Sequence, residues 1–110
     1  AITEVPVILF AKDAHYSIEE FSNTDCAVIG LDWTVELQKA RSEAPAKTLQ
    51  GNLDPCVLYA DKATIKSETE KMLQAFGSQK YICNLGHGVY PDVDFEKAKY
   101  FIETVQNYRF

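Results

Sequence analysis

The chain has 110 residues, 46% of them apolar and 25% charged, with only five glycines and four prolines, a composition that excludes disorder and low complexity. A single soluble domain is expected at this length, and no apolar run reaches the roughly 18 to 20 residues of a membrane span. Eleven basic against sixteen acidic residues give a net charge of −5 with no Lys/Arg cluster, which argues against a nucleic-acid or anionic-membrane surface. The first residues lack the basic segment and small-residue cleavage site of a signal peptide. Cys26, Cys56 and Cys83 form no C-x-x-C pair, so reduced thiols in a cytoplasmic protein are expected rather than a disulfide framework.

In chain order the sequence divides into four units of one kind, each an apolar run, a polar or glycine-containing turn, and an amphipathic segment. Val5–Phe10 is continuously apolar, as in a strand buried on both faces of a parallel sheet, with Pro6 at its start. Lys12 to His15 form the turn, and Ser17 with Glu20 three residues on reads as a capping box for a short helix carrying Ile18 and Phe21. Cys26–Leu31 is the second strand and Asp32-Trp33 its turn, after which Thr34 is expected to cap a helix running to about Arg41, before Pro45.

The third strand, Lys47–Gly51, is the weakest reading because only Leu49 is strongly apolar. Asn52-Leu53-Asp54-Pro55 follows as a turn with proline at a helix N1 position. Ala63–Phe76 reads as a helix with Ile65, Met72, Leu73 and Phe76 near one stripe, ended by Gly77. The fourth strand is Tyr81–Leu85, its turn Gly86-His87-Gly88. The last helix spans about Phe95–Tyr108, with Ala98, Phe101, Ile102 and Val105 facing inward.

Strands alternating with helices through short loops give parallel β-α-β units. Two architectures fit: four consecutive units of a (β/α)8 barrel, or a compact open parallel sheet with helices on both faces. In either, ligands meet the C-terminal ends of the strands, where this chain carries Asp13, Asp32, Asp54 and His87.

The catalytic inventory at those ends is short. The chain holds two histidines and has no H-E-x-x-H, no paired-cysteine metal spacing, no P-loop and no G-x-G-x-x-G. His87 between two glycines reads either as an imidazole aimed into a pocket or as a surface turn residue, and the residues alone favour the turn. Asp32 and Asp54 read as N-terminal helix residues, Asp13 as an ion-pair partner of Lys12, Trp33 as a bridge between loop and core, and Cys56 as packing.

The turns carry a resemblance. Phe10-Ala11-Lys12-Asp13, Gly30-Leu31-Asp32-Trp33-Thr34, the run Leu49-Gln50-Gly51-Asn52-Leu53-Asp54-Pro55, and Asn84-Leu85-Gly86-His87-Gly88-Val89-Tyr90-Pro91-Asp92 resemble the C-terminal part of uroporphyrinogen decarboxylases of the animal type, in the same order and spacing. The last two runs are specific, and the resemblance covers essentially the whole chain. It implies the C-terminal half of a (β/α)8 TIM barrel, here one partial domain spanning residues 1–110. The implied chemistry is decarboxylation of the four acetate side chains of uroporphyrinogen to coproporphyrinogen in haem biosynthesis, with no cofactor and no metal. His87 falls on the family's substrate-binding histidine.

The family's arginine-rich segment, and the aspartate that gathers the pyrrole N–H groups, belong to the N-terminal part of the barrel and have no counterpart in these residues. Lys12, His15 and His87 against three aspartates make a poor surface for a substrate with eight carboxylates. The chain alone is therefore expected to be inactive, and its unpaired sheet edges to require a second copy or an N-terminal half. The other functional class left open is a stand-alone, non-catalytic relative that binds a tetrapyrrole or a protein partner.

Overall fold

In the computed structural model, which describes residues 4–110, strand and helix alternate throughout. The elements are β1 (Ile8–Phe10), α1 (Ile18–Ser22), β2 (Val28–Gly30), α2 (Leu37–Glu43), β3 (Thr48–Leu53), a 3-10 turn (Pro55–Tyr59), α3 (Lys62–Phe76), β4 (Tyr81–Leu85) and α4 (Phe95–Asn107). The strands form one parallel sheet in the order β1-β2-β3-β4, open at β1 and β4. Each helix returns the chain to start the neighbouring strand in the same direction, as parallel pairing demands.

The helices form one layer. α1 packs on α2, α2 on α3 and α3 on α4. Between that layer and the sheet lies the core, where Ile29, Leu31 and Leu49 meet Leu58, Ile65, Met72, Phe76 and Phe101. A doubly wound sheet would carry helices on both faces. One-sided cover with sequential strand order is instead the arrangement of consecutive units of a partial barrel, in an α/β fold.

The opposite face is open. Register aligns Phe10, Gly30, Gln50 and Ile82 in one row across the sheet, and on that face Ile8, Phe10 and Ile82 are 51%, 45% and 41% exposed. This corrects the expectation that the first strand is buried on both faces. Its apolar continuity is present, but among the described residues no segment covers its second side. The strand is also shorter than Val5–Phe10, although the Val7 carbonyl accepts from the N–H groups of Ala27 and Val28.

Local capping differs from the sequence reading at two helices. Ser17 precedes α1 but makes no side-chain cap, because its backbone (φ −113°, ψ 14°) lies outside the extended region that aims a hydroxyl at the helix N–H groups. Thr34 does not cap α2, which begins at Leu37. Its hydroxyl and N–H both donate to the Asp32 carboxylate, so a turn forms first. The third strand runs on to Leu53 and is the longest of the four.

Other elements agree. Pro55 opens the 3-10 turn with Asp54 accepting from the Cys56 N–H, Asp61 caps α3, Gly77 ends it at φ 74°, and β4 has the expected bounds. Ile102 departs from the inward stripe of α4 and is 52% exposed, whereas Phe101 is buried. Of the cysteines, Cys26 is buried, Cys83 half-buried and Cys56 exposed, so Cys56 does not pack as expected. No helix of the described residues is long and apolar enough to cross a membrane.

Candidate functional site

The C-terminal ends of the strands are held together by buried polar groups. Asp32 follows β2 and is only 1% exposed, yet it has donors enough to remain charged. Burial works against its charge, but the Thr34 hydroxyl, the N–H groups of Asp13 and Thr34, and nearby His15 outweigh it and hold the carboxyl below the usual carboxylate range. Asp32 is thus an organiser of the loops after β1 and β2. It is neither an exposed acid nor a helix cap.

Asn52 performs the equivalent task for β3. Its buried carboxamide donates to the carbonyls of Asp32 and Val35, both at 2.9 Å, tying the end of β3 to the loop after β2. The neighbouring Gly51 has φ 143°, and a Cβ there would lie 2.6 Å from the Leu31 carbonyl oxygen, so the close approach of the two strands requires glycine. From β4, the Tyr81 hydroxyl donates to the Gly51 carbonyl at 2.9 Å while its ring stacks on Phe76.

Past β4 the chain turns back over these ends. The Gly86 N–H donates to the Leu53 carbonyl at 2.7 Å, and a Cβ on Gly86 would stand 2.5 Å from the Trp33 backbone nitrogen. The turn carries His87, which is exposed. Its ring lies 6.1 Å from Phe10 at 62° and 6.1 Å from Trp33 at 84°, both edge-on contacts. Lys12 places its Nζ 5.8 Å from the Trp33 ring centre, within cation–π range.

Beneath His87, on the uncovered face of the sheet, is a groove of about 320 Å³ lined by Ile8, Phe10, Gln50, Asn84, His87 and Val89. Its floor is apolar and its polar groups are few, which is the usual character of a small-molecule site. Of the residues singled out from sequence, the structure brings His87, Lys12 and Trp33 together at the rim. His15 is elsewhere. Its ring lies 3.9 Å from that of Tyr16, tilted by 43°, and it lines a separate cavity with Ile18, Val35 and Ala40 between α1 and α2. Asp13 exposes its carboxylate and offers its N–H to Asp32, with φ 59°, in place of the expected pairing with Lys12. Trp33 is half-buried and meets Lys12 and His87 of the neighbouring loops, where a bridge between loop and core was expected.

Three features were not found by sequence reasoning. Gln50 and Asn84 on the groove face carry no periodic signal, since a polar residue in a strand reads as weakness until its face is known to be open. Asn52 was assigned to a turn. Tyr59 stacks on Tyr90 at 6.0 Å and donates its hydroxyl to Asp92, whose hydrogen bond pushes the phenol up to about 12. That pair joins the 3-10 turn to the loop after β4, and such a meeting of two loops has no local signature.

The family model for uroporphyrinogen decarboxylase (URO-D) matches residues 1–108. Among curated relatives, the uroporphyrinogen decarboxylases of Mus musculus and Danio rerio are 49% and 47% identical over 108 residues, each alignment covering 97% of this chain and 29% of the relative. The bacterial enzyme of Salinibacter ruber is 43% identical over 106 residues, 96% of this chain and 30% of its own length. The chain therefore spans about 29% of the length of the relatives it matches. With the four motif-bearing turns all at strand ends, and one family model matched along nearly the whole length, the chain belongs to the uroporphyrinogen decarboxylase family.

Proposed function

We propose that this chain is the C-terminal portion of a uroporphyrinogen decarboxylase, one partial (β/α) domain whose activity belongs to the completed barrel. The observation that carries the reading is the position of His87, at the strand-end rim of a groove that opens on the uncovered face. In a closed barrel that face is interior, and the strand C-terminal end is where substrates bind.

The reaction would proceed by protonation of the pyrrole ring carbon next to the one that bears the acetate arm, which leaves the acetate-bearing carbon electron-poor. The C–C bond to the carboxylate then breaks, its electron pair flows into the cationic ring to give an exocyclic methylene, and carbon dioxide leaves. A second proton converts the methylene to a methyl group while the first is lost from the ring, restoring the pyrrole. The pyrrole supplies its own electron sink, so the reading calls for no cofactor and no metal. His87 would bind substrate at the groove, as hydrogen-bond donor to an acidic side arm, with its ring held edge-on by Phe10 and Trp33. Substrate and product are uroporphyrinogen and coproporphyrinogen, and the cations for most of the eight carboxylates would come from the rest of the barrel.

The same reading assigns partners. β1 and β4 each have one unpaired side among the described residues, and the open face exposes Ile8, Phe10 and Ile82, which suits packing against the N-terminal part of the barrel or a second copy. Three free thiols fit a cytoplasmic enzyme. The test is the complete polypeptide carrying this segment. His87→Ala should reduce coproporphyrinogen formation by a hundredfold or so, about the loss of a positioned polar catalytic contact, and His87→Ala with unaltered turnover would refute the role of His87.

A further inference from the structure

We infer that Trp33, pinned by the buried carboxylate of Asp32, is the positioning residue that sets the orientation of the His87 ring. The inference rests on the reading of His87 as a substrate-binding group. Its geometric basis is a fold-back. β1 and β4 are the two outer strands of the sheet, three ladder steps apart, or roughly 14 Å in a flat sheet. His87, which follows β4, nevertheless lies 6.1 Å from Phe10 on β1. The turn after β4 must therefore cross over the ends of β3 and β2, and what it crosses is Asp32-Trp33.

Two contacts fix that crossing. The backbone of Gly86 rests against the backbone of Trp33 so closely that a Cβ would stand 2.5 Å from its nitrogen and 3.0 Å from the Asp32 carbonyl carbon. The indole then meets the imidazole edge-on at 6.1 Å and 84°, the geometry in which a ring edge faces a π cloud. His87 is exposed, and among the described residues its ring meets Phe10 and Trp33, the first on a strand and the second on a loop.

A loop residue orients its neighbour only if the loop itself is fixed. Asp32 supplies that rigidity, for its carboxylate takes the N–H groups of Asp13 and Thr34 and the Thr34 hydroxyl, and its carbonyl takes the Asn52 carboxamide. Four groups, from the loops after β1 and β2 and from the end of β3, thus converge on the residue immediately before Trp33. The Lys12 ammonium lies 5.8 Å from the indole centre, within cation–π range.

The test uses the complete polypeptide, with Trp33→Ala, Trp33→Phe and Asp32→Asn read by two measurements. The first is the His87 ring resonance in protein with 13C-labelled histidine, assigned by its loss in His87→Ala. The second is kcat and KM for uroporphyrinogen as a function of pH. Trp33→Ala should shift the His87 resonance and lower kcat/KM tenfold to a hundredfold, the cost of roughly 1 Å of misplacement, with a displaced pH limb. Trp33→Phe, which keeps a ring edge-on to the imidazole, should recover most of both, and Asp32→Asn should shift the same resonance in the folded protein. An unmoved His87 resonance in folded Trp33→Ala, or equal damage from alanine and phenylalanine, overturns the inference. His87→Ala with intact turnover refutes the underlying reading of His87 instead, so the two failures are distinct.

Discussion

Gly86 and Trp33 meet backbone to backbone, with a Cβ at Gly86 destined to fall 2.5 Å from the Trp33 nitrogen. Neither strand nor helix makes this contact. It joins two loops, and it is where the last β/α unit closes over the second. Because the atom in the way is main chain, no side-chain rotation can relieve the clash, and the loop itself must move.

Gly86→Ala should therefore destabilise the fold by about 1 to 3 kcal/mol, the range of overpacking costs, and displace His87 as it does so. Gly88→Ala is the control, since a Cβ at Gly88 meets nothing within 4 Å and should stay within about 0.5 kcal/mol of the parent. Urea denaturation of the two variants checks the contrast, and equal stabilities would contradict the close approach.

Asn52 gives a second prediction. Its carboxamide satisfies the carbonyls of Asp32 and Val35, and Asn52→Leu would leave both without their side-chain donor in a buried setting. The expected loss is about 2 to 4 kcal/mol, from two acceptors each deprived of a partner. Asn52→Asp should be worse near neutral pH, where a carboxylate would face two carbonyl oxygens, and should recover partly in acid as it is protonated. Denaturation midpoints at pH 7 and pH 4 measure both effects.

Asp32 should leave its mark on the pH dependence of stability. Its folded pKa is lowered by hydrogen bonds that outweigh burial, so its stabilising contribution is present above the unfolded value of about 3.9 and is lost as pH falls through the depressed folded value. The stability gap between the parent and Asp32→Asn should be widest at pH 6 to 7 and shrink below pH 4. A gap independent of pH would mean that the carboxylate charge contributes nothing.

The open face leads to a prediction about association. Ile8 and Ile82 are 51% and 41% exposed beside unpaired strand edges, a surface that favours burial against another chain. The 110-residue chain on its own should self-associate with rising concentration in sedimentation velocity, and Ile8→Lys combined with Ile82→Lys should suppress this. A parent chain that stays monomeric at every concentration would contradict the prediction.

Much of this architecture is legible in the sequence, and the misreadings have local causes. α3 and β4 stand out because Ile65, Met72, Leu73 and Phe76 keep helical spacing and Tyr81–Leu85 is a run of strand formers broken only by Asn84. β3 reads as weak because Gln50 is polar, and short because Asn52 looks like the start of a turn leading to Pro55. Gln50 faces an open groove, and Asn52 is buried with its carboxamide satisfied by two carbonyls of the loop after β2. α2 was begun too early because the Thr34 hydroxyl, ideal for a cap, is taken by Asp32. His87 could be marked as a candidate from its two flanking glycines, but its nearness to Phe10 depends on a loop folding across the sheet ends, which no periodicity encodes.

The most direct test of the central claim is the formation of coproporphyrinogen from uroporphyrinogen by the 110-residue chain, alone and mixed with the separately produced remainder of the barrel. The account predicts no turnover by the chain alone, turnover on mixing, and its loss on mixing with His87→Ala. Turnover by the isolated chain would contradict it.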